Sequence, residues 1–228
     1  MDPLQPAGPG PRGTLLLATS NEGKAREFLP LLGPILDGLG LGLATLATLG
    51  DGGRAFPVPE EDGQTFAENA AIKARHYCGL TGLPTLADDS GLCLEALGGG
   101  PGVLSARFGG PGLSDGQRAA MLLDNLEAAI VASGKPGRLG RGAFFETALV
   151  LALGGSRKTL SWTGRLHGRM ASSPIGSHGF GYDPIFVPRG GRRTLAQMAP
   201  EAKNAISHRS LALRAMASDI GRIRAFLG

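Results

Sequence analysis

Thr14-Leu15-Leu16-Leu17-Ala18-Thr19-Ser20-Asn21-Glu22-Gly23-Lys24 is the stretch on which the reading of this chain turns. Thr14–Ala18 is a short continuous apolar run, the pattern of a strand buried on both faces. A polar turn follows, and then a helical pattern with Ala25, Phe28, Leu29 and Leu32 on one side. Pro30 lies inside that pattern and is expected to kink or end the helix. A buried strand feeding a helix through a polar turn aims backbone N–H groups at an anion, and Lys24 adds a point charge suited to a phosphate. The spacing is not that of a GxxxxGK[ST] phosphate loop. Taken alone, the segment is also what an ordinary strand-to-helix turn looks like.

Upstream, Met1–Gly13 holds four Pro and three Gly with no charge-then-apolar layout, so it is expected to be a disordered lead-in rather than a signal peptide. Downstream, Thr65-Phe66-Ala67-Glu68 is a capping box for a helix to about Thr81. Leu83–Ala87 reads as a second buried strand, running into Asp88-Asp89-Ser90-Gly91. Ser114-Asp115-Gly116-Gln117 is a second capping box, for a helix to about Ser133. Ala143–Leu153 and Lys158–Met170 read as long strands joined at Gly154-Gly155, a hairpin signal. Pro184–Val187 is a short strand, and a last helix is expected from Ser207, its N-cap, to Phe226. Residues 33–56 are rich in Gly and Leu and are not placed. This alternation predicts an α/β fold with a mixed sheet, and no linker divides it cleanly.

Composition narrows the function classes. Of 228 residues, 38 are Gly and 16 are Pro, yet 42% are hydrophobic, which argues for a packed core. Lys and Arg number 23 against 19 Asp and Glu, a net charge of +4 that suits an anionic ligand or simple solubility. No basic run is interleaved with the few aromatics, so a nucleic acid polymer is not expected as a partner. No apolar run is long enough to span a bilayer, and no membrane partner is expected. Cys78 and Cys93 sit in no CxxC pattern. A reducing, cytoplasmic location is expected.

The chemistry-bearing residues fall into clusters. At helical steps of 100°, Asn69 and Lys73 share a stripe with Phe66, Ala70 and Tyr77. Either Lys73 snorkels to the surface, or the stripe borders a cavity where Lys73 meets an anion. Asp88-Asp89 is placed at the C-terminal end of an apolar strand, where α/β proteins bind ligands. Adjacent strand residues point to opposite faces, so the two carboxylates are expected to have separate roles. Glu60-Glu61-Asp62 is either a solvated loop or a source of oxygen ligands for Mg²⁺. Gly179-Phe180-Gly181-Tyr182-Asp183-Pro184 combines glycines that permit close backbone approach with aromatics able to stack on a base. Lys203 precedes His208-Arg209, whose donors suit a purine 6-keto oxygen or simply form a surface charge pair.

Read together, these motifs resemble the non-canonical purine nucleoside triphosphate pyrophosphatases, the inosine/xanthosine triphosphatase family. The likeness rests on Ala18–Lys24, Thr65–Ala70 with Lys73-Ala74-Arg75, Ala87–Leu92, Gly98–Gly102 with Ser105–Phe108, Gly179–Phe186 and Lys203–Arg209 in this order. It covers the chain from Leu15 to about Phe226.

The resemblance implies an elongated two-lobed α/β fold over residues 14–228, an active-site cleft between lobes, and a homodimer. It implies Mg²⁺-dependent hydrolysis of ITP, dITP and XTP to the monophosphate and pyrophosphate. By the same resemblance, Thr19, Ser20, Asn21, Glu22, Gly23 and Lys24 would cradle the triphosphate, with Lys73 and Lys203 adding charge. Asp89 would accept a proton and, with Glu61, bind metal, while Ser90 would contact substrate. Phe180 would stack on the base against a wall of Gly181, Tyr182 and Asp183, and His208 and Arg209 would read the base edge. Ser20, Pro30, His178 and the Gly/Leu-rich segment depart from the family pattern. A choice of GTP or a modified pyrimidine, or a sensor that binds nucleotide without turnover, are the other readings.

Overall fold

A computed structural model describes residues 13–50, 56–133, 140–154 and 158–228. The expected lead-in, apart from Gly13, and Gly155 of the expected hairpin lie outside the described residues. The elements are β1 (Thr14–Ala18), α1 (Glu22–Leu39), β2 (Gly42–Thr45), α2 (Leu46–Leu49), α3 (Phe66–Thr81) and β3 (Thr85–Leu94), then α4 (Asp115–Ser133), β4 (Gly142–Ala152), β5 (Thr159–Met170), β6 (Phe186–Pro188), α5 (Pro200–Ile206), α6 (His208–Ser218) and α7 (Ile220–Leu227). The six strands form one sheet in the order β2-β1-β3-β4-β5-β6. β1 pairs in parallel with β2 and β3, and β5 pairs antiparallel with β6, so the sheet is mixed as expected.

The chain divides into two compact units. Among the described residues, one comprises 13–50, 56–89, 148–154, 158–163 and 212–228; the other comprises 90–133, 140–147 and 164–211. Each unit draws on separate stretches of chain.

In the first unit, strand alternation sorts the core into two layers. Leu15, Leu17, Leu86, Leu149 and Leu151 pack with Phe28, Leu32, Ile35 and Leu36 of α1 and with Leu213, Met216 and Ile223 of the C-terminal helices. Leu16, Ala18, Ala87, Val150 and Ala152 pack with Ala70, Ala74, Tyr77 and Cys78 of α3. The same parity sends Asp88 toward the α1 layer and Asp89 toward the α3 layer. In the second unit, Leu122, Leu123 and Leu126 of α4 pack against Leu92, Leu94, Phe145, Ile185 and Phe186.

Three expectations need correction. The helix does not end at Pro30: α1 runs from Glu22 to Leu39 through both Pro30 and Pro34. The two prolines lie on its exposed side, so the carbonyls that lose an N–H partner stay within reach of water. Phe28, Leu32, Ile35 and Leu36 are buried, each contributing roughly 1.5–3 kcal/mol. Together, at about 6–12 kcal/mol, they match or exceed the cost of about 3 kcal/mol for each of the two interior prolines. Leu29, expected on the apolar stripe, is 40% exposed, and the stripe runs through Ile35 and Leu36 instead.

The second correction concerns β3, which continues through Asp88-Asp89-Ser90-Gly91 to Leu94 instead of ending before them. Leu92 and Leu94 are fully buried in the second unit's core and hold the strand extended beyond its polar middle. The partner β1 does end here, with Ala18 opposite Ala87. The carboxylates therefore lie just past the C-terminal end of β1, beside its turn into α1, where parallel sheets place ligands.

The third is the C-terminal helix, which is split into α6 and α7. Asp219 sits at the break, and its carboxylate accepts a hydrogen bond from the Trp162 indole at 3.1 Å. Ser207 precedes α6 as expected, its hydroxyl accepting from the Ser210 N–H at 3.1 Å. The short α5 before it was not foreseen.

Candidate active site

Two groups of predicted residues are assembled, one in each unit. In the first unit, the β1–α1 turn is ordered by its own side chains. Thr19 Oγ1 accepts from the Asn21 N–H at 3.3 Å, and Asn21 Oδ1 caps α1 by accepting from the Lys24 N–H at 3.0 Å. Ser20, Asn21 and Glu22 are exposed, and the first N–H groups of an 18-residue helix stand at this end. Lys24 Nζ reaches the buried Asp88 carboxylate at 2.8 Å. This ion pair holds the turn to β3; sequence reasoning singled out both residues but did not pair them.

Asp89 faces α3. Its Oδ1 lies 3.5 Å from Lys73 Nζ, and its Oδ2 accepts from Asn69 Nδ2 at 3.3 Å. Lys73 Nζ also donates to Glu61 Oε2 at 3.0 Å. The Lys73 side chain is only 14% exposed, so it does not snorkel to the surface; its partners are the protein's own carboxylates. α3 places Lys73 and Asn69 together because they are four residues apart, one helical turn. Its start is set by the predicted capping box: Thr65 Oγ1 accepts from the Glu68 N–H, and the Glu68 carboxylate accepts from the Thr65 N–H.

The electrostatics follow from burial. Desolvation raises the Asp89 pKa above its ordinary 3.8, opposed by Lys73 and Lys24 and reinforced by Asp88 and Glu61. Burial by itself would lower the Lys73 pKa, but Asp88, Asp89 and Glu61 more than offset it and the net shift is upward. Lys73 therefore stays cationic, while Asp89 is a carboxylate held back from ionising. This has a consequence for stability. The folded chain keeps the Asp89 proton longer than the unfolded chain does, so ionising Asp89 costs stability as pH rises from about 3.8 through its raised value. In metal-free protein, Asp89→Asn is expected to gain in unfolding free energy relative to wild type across that window, with the difference smallest below it. Denaturant melts of both proteins from pH 3 to pH 8 check this; a difference that shrinks toward neutral pH would contradict it.

In the second unit, Arg209 donates from Nη2 to Ser90 Oγ at 3.1 Å, joining two predicted substrate contacts. The Phe180 ring carries Lys203 Nζ at 4.8 Å and the Arg209 guanidinium at 5.3 Å from its centre. Asp183 is the hub of this group. Its carboxylate accepts from the Phe180 N–H at 2.9 Å and pairs with Lys203 Nζ at 2.5 Å, with both side chains buried. A Cβ on Gly179 would lie 2.1 Å from Asp183 Oδ2, at a backbone φ of +79°. Glycine is thus required there for close approach. His208, at the start of α6, stacks on Phe145 with centres 4.8 Å apart and planes 11° apart.

Tyr182 is buried, and its hydroxyl donates to the Ser105 carbonyl at 2.8 Å. Burial pushes its phenol up to about 12, so it remains a neutral donor. Gly181 is fastened by its N–H to the Asp115 carboxylate at 2.7 Å. Sequence reasoning missed that tie because Asp115 reads there only as part of a helix start. Cys78 and Cys93 are buried free thiols. Among the described residues no helix is long and apolar enough to cross a membrane.

The fold and these groups define a class: a mixed α/β protein holding paired carboxylates and lysines beside a strand-to-helix turn. Residues 15–219 match the Ham1 family, and the chain belongs to it. It is 45% identical over 207 residues to the dITP/XTP pyrophosphatase of Geobacter sulfurreducens, covering 91% of this chain and 96% of that protein. It is 45% identical over 213 residues to the dITP/XTP pyrophosphatase of Symbiobacterium thermophilum, covering 93% and 96%. A HAM1 protein of known structure from Coxiella burnetii matches with a TM-score of 0.78 at 37% identity, over 92% of this chain and 98% of that one.

Proposed function

We propose that this protein hydrolyses dITP, ITP and XTP to the nucleoside monophosphate and pyrophosphate, removing deaminated purines from the nucleotide pool. The observation that carries the reading is the buried Asp89 carboxylate. It stands among Lys73, Glu61 and the Lys24–Asp88 pair, beside the β1–α1 turn. The relatives at 45% identity bear the matching activity in their names.

In this reading Thr19–Lys24 and Lys73 take the triphosphate, and residues 14–228 act as one pyrophosphatase domain. Lys203 and Ser90 add contacts to substrate, Phe180 stacks on the base, Gly181, Tyr182 and Asp183 shape its wall, and His208 and Arg209 donate to the 6-keto oxygen. Adenine presents an amino group at that position and is refused. Asp89 orients and deprotonates the attacking water, and the lysines neutralise charge on the departing pyrophosphate.

The donor set suits Mg²⁺. Glu61 and Asp89 offer hard oxygen ligands and already converge on a single ammonium, that of Lys73. Mg²⁺ is bound by one or two carboxylates together with substrate phosphates, and it would lower the cost of charge on the phosphates. We further propose a cytoplasmic homodimer that binds neither membranes nor nucleic acid polymers.

The test is pyrophosphate release from ITP, XTP and GTP with and without Mg²⁺. Fast, Mg²⁺-dependent release from ITP and XTP with little from GTP is expected. Equal rates on GTP would retain the chemistry and overturn the base selection. Binding of all three without release would replace the enzyme with a nucleotide sensor.

A further inference from the structure

Asn69 is fully buried on α3, and both ends of its carboxamide are engaged. Its Oδ1 accepts from the Gly63 N–H at 2.8 Å, and its Nδ2 donates to Asp89 Oδ2 at 3.3 Å. The polarity is complementary, since the amide offers an acceptor to a donor and a donor to a carboxylate. Gly63 is two residues past Glu61, and the loop is fastened further by Gln64 and Thr65, whose N–H groups donate to the Glu68 carboxylate at 2.7 and 3.0 Å. The approach at Gly63 leaves no room for a side chain. A Cβ there would lie 2.7 Å from Asn69 Oδ1 and 2.7 Å from Glu68 Cβ.

We infer that Asn69 is a positioning residue that ties the loop bearing Glu61 to the strand bearing Asp89, and so sets the spacing of the two carboxylates for a divalent cation. The inference rests on the metal reading given above. One helical turn along α3, Lys73 meets the other Asp89 oxygen and Glu61. The two carboxylates are thus held from the same helix face by two side chains. Lys73 compensates their charge, whereas Asn69, being neutral, acts only through geometry. Polar groups that orient metal-binding side chains are typically worth 10–100-fold in metal affinity.

The experiment measures Mn²⁺ binding to the nucleotide-free full-length chain, from the electron paramagnetic resonance signal of free Mn²⁺. It compares wild type, Asn69→Ala, Gly63→Ala and the double substitution, each checked for folding by circular dichroism. Gly63→Ala removes no side chain around Asp89 and breaks the same tie from the loop side, by forcing the loop and the Asn69 carboxamide apart, so it decides the matter if Asn69→Ala does not fold. Each single substitution is expected to weaken Mn²⁺ binding by about 10–100-fold, and the double substitution to be no worse than the weaker-binding single one. In turnover, the Mg²⁺ concentration for half-maximal rate should rise correspondingly while kcat at saturating Mg²⁺ recovers to within a few-fold of wild type. A merely structural role would not produce that recovery. Wild-type Mn²⁺ affinity in folded Gly63→Ala or Asn69→Ala, or fully additive losses in the double variant, would overturn the positioning role alone. Failure of wild type to bind Mn²⁺ both alone and with a non-hydrolysable ITP analogue added, whose phosphates complete the ligand set, would overturn the metal reading, and this role with it.

Discussion

Asp89→Asn is expected to lower kcat for ITP by about 10²–10⁴-fold, the usual contribution of a positioned general base, while leaving the fold intact. The substitution keeps the shape of the side chain and an acceptor for the Asn69 amide. It removes both the proton acceptor and the charge opposite Lys73. Because burial holds the Asp89 pKa up, ionising this group costs the native chain stability. Loss of activity should therefore come with equal or greater stability in metal-free protein. Single-turnover rates and denaturant melts on the same preparations measure both. Full activity of Asp89→Asn would dismiss Asp89 as the base, and a collapsed fold would show it to be structural.

The second large effect is expected in the other unit. Lys203→Met should destabilise the protein by about 3–5 kcal/mol, the cost of removing one partner from a buried ion pair. The side chains of Lys203 and Asp183 are each 6% exposed, so water cannot replace the lost ammonium. Asp183 also holds the Phe180 N–H, and Lys203 lies over the Phe180 ring. The aromatic loop should loosen with it, and KM should rise more than kcat falls. Adding Asp183→Asn to Lys203→Met removes the stranded carboxylate and should recover part of the loss. A double-mutant cycle on unfolding free energies measures the coupling. A loss under 1 kcal/mol in Lys203→Met would mean that the pair behaves like an exposed one.

Much of the architecture was legible in the residues. Thr14–Ala18 reads as a buried strand and is one. The capping boxes at Thr65 and Ser114 place the starts of α3 and α4 because caps are local chemistry, decided within four residues. The resemblance implied the pyrophosphatase family, and the Ham1 match to residues 15–219 agrees. The misreadings are equally local in origin. Pro30 signals a break within its own turn, but the apolar side of α1 is held by β1 and the C-terminal helices, which no short window contains. Asp88-Asp89 looks like the end of a strand because polarity interrupts the apolar run. The strand continues because Leu92 and Leu94 are bought into a second core.

The sequence by itself determined the elements whose causes are short-ranged: caps, alternation, the strand-to-helix turn, and the inventory of carboxylates, lysines and aromatics. Only the tertiary structure decided which of these meet. Lys24 pairs with Asp88 across 64 residues, Lys203 with Asp183 across 20, and Arg209 with Ser90 across 119. Asn69 is a buried polar residue in the sequence pattern and becomes a tie between Glu61's loop and Asp89 only when α3 lies on β3. The reason is physical: a cap or a strand answers to neighbours along the chain, whereas a buried charge must find its partner wherever packing brings one within about 3 Å.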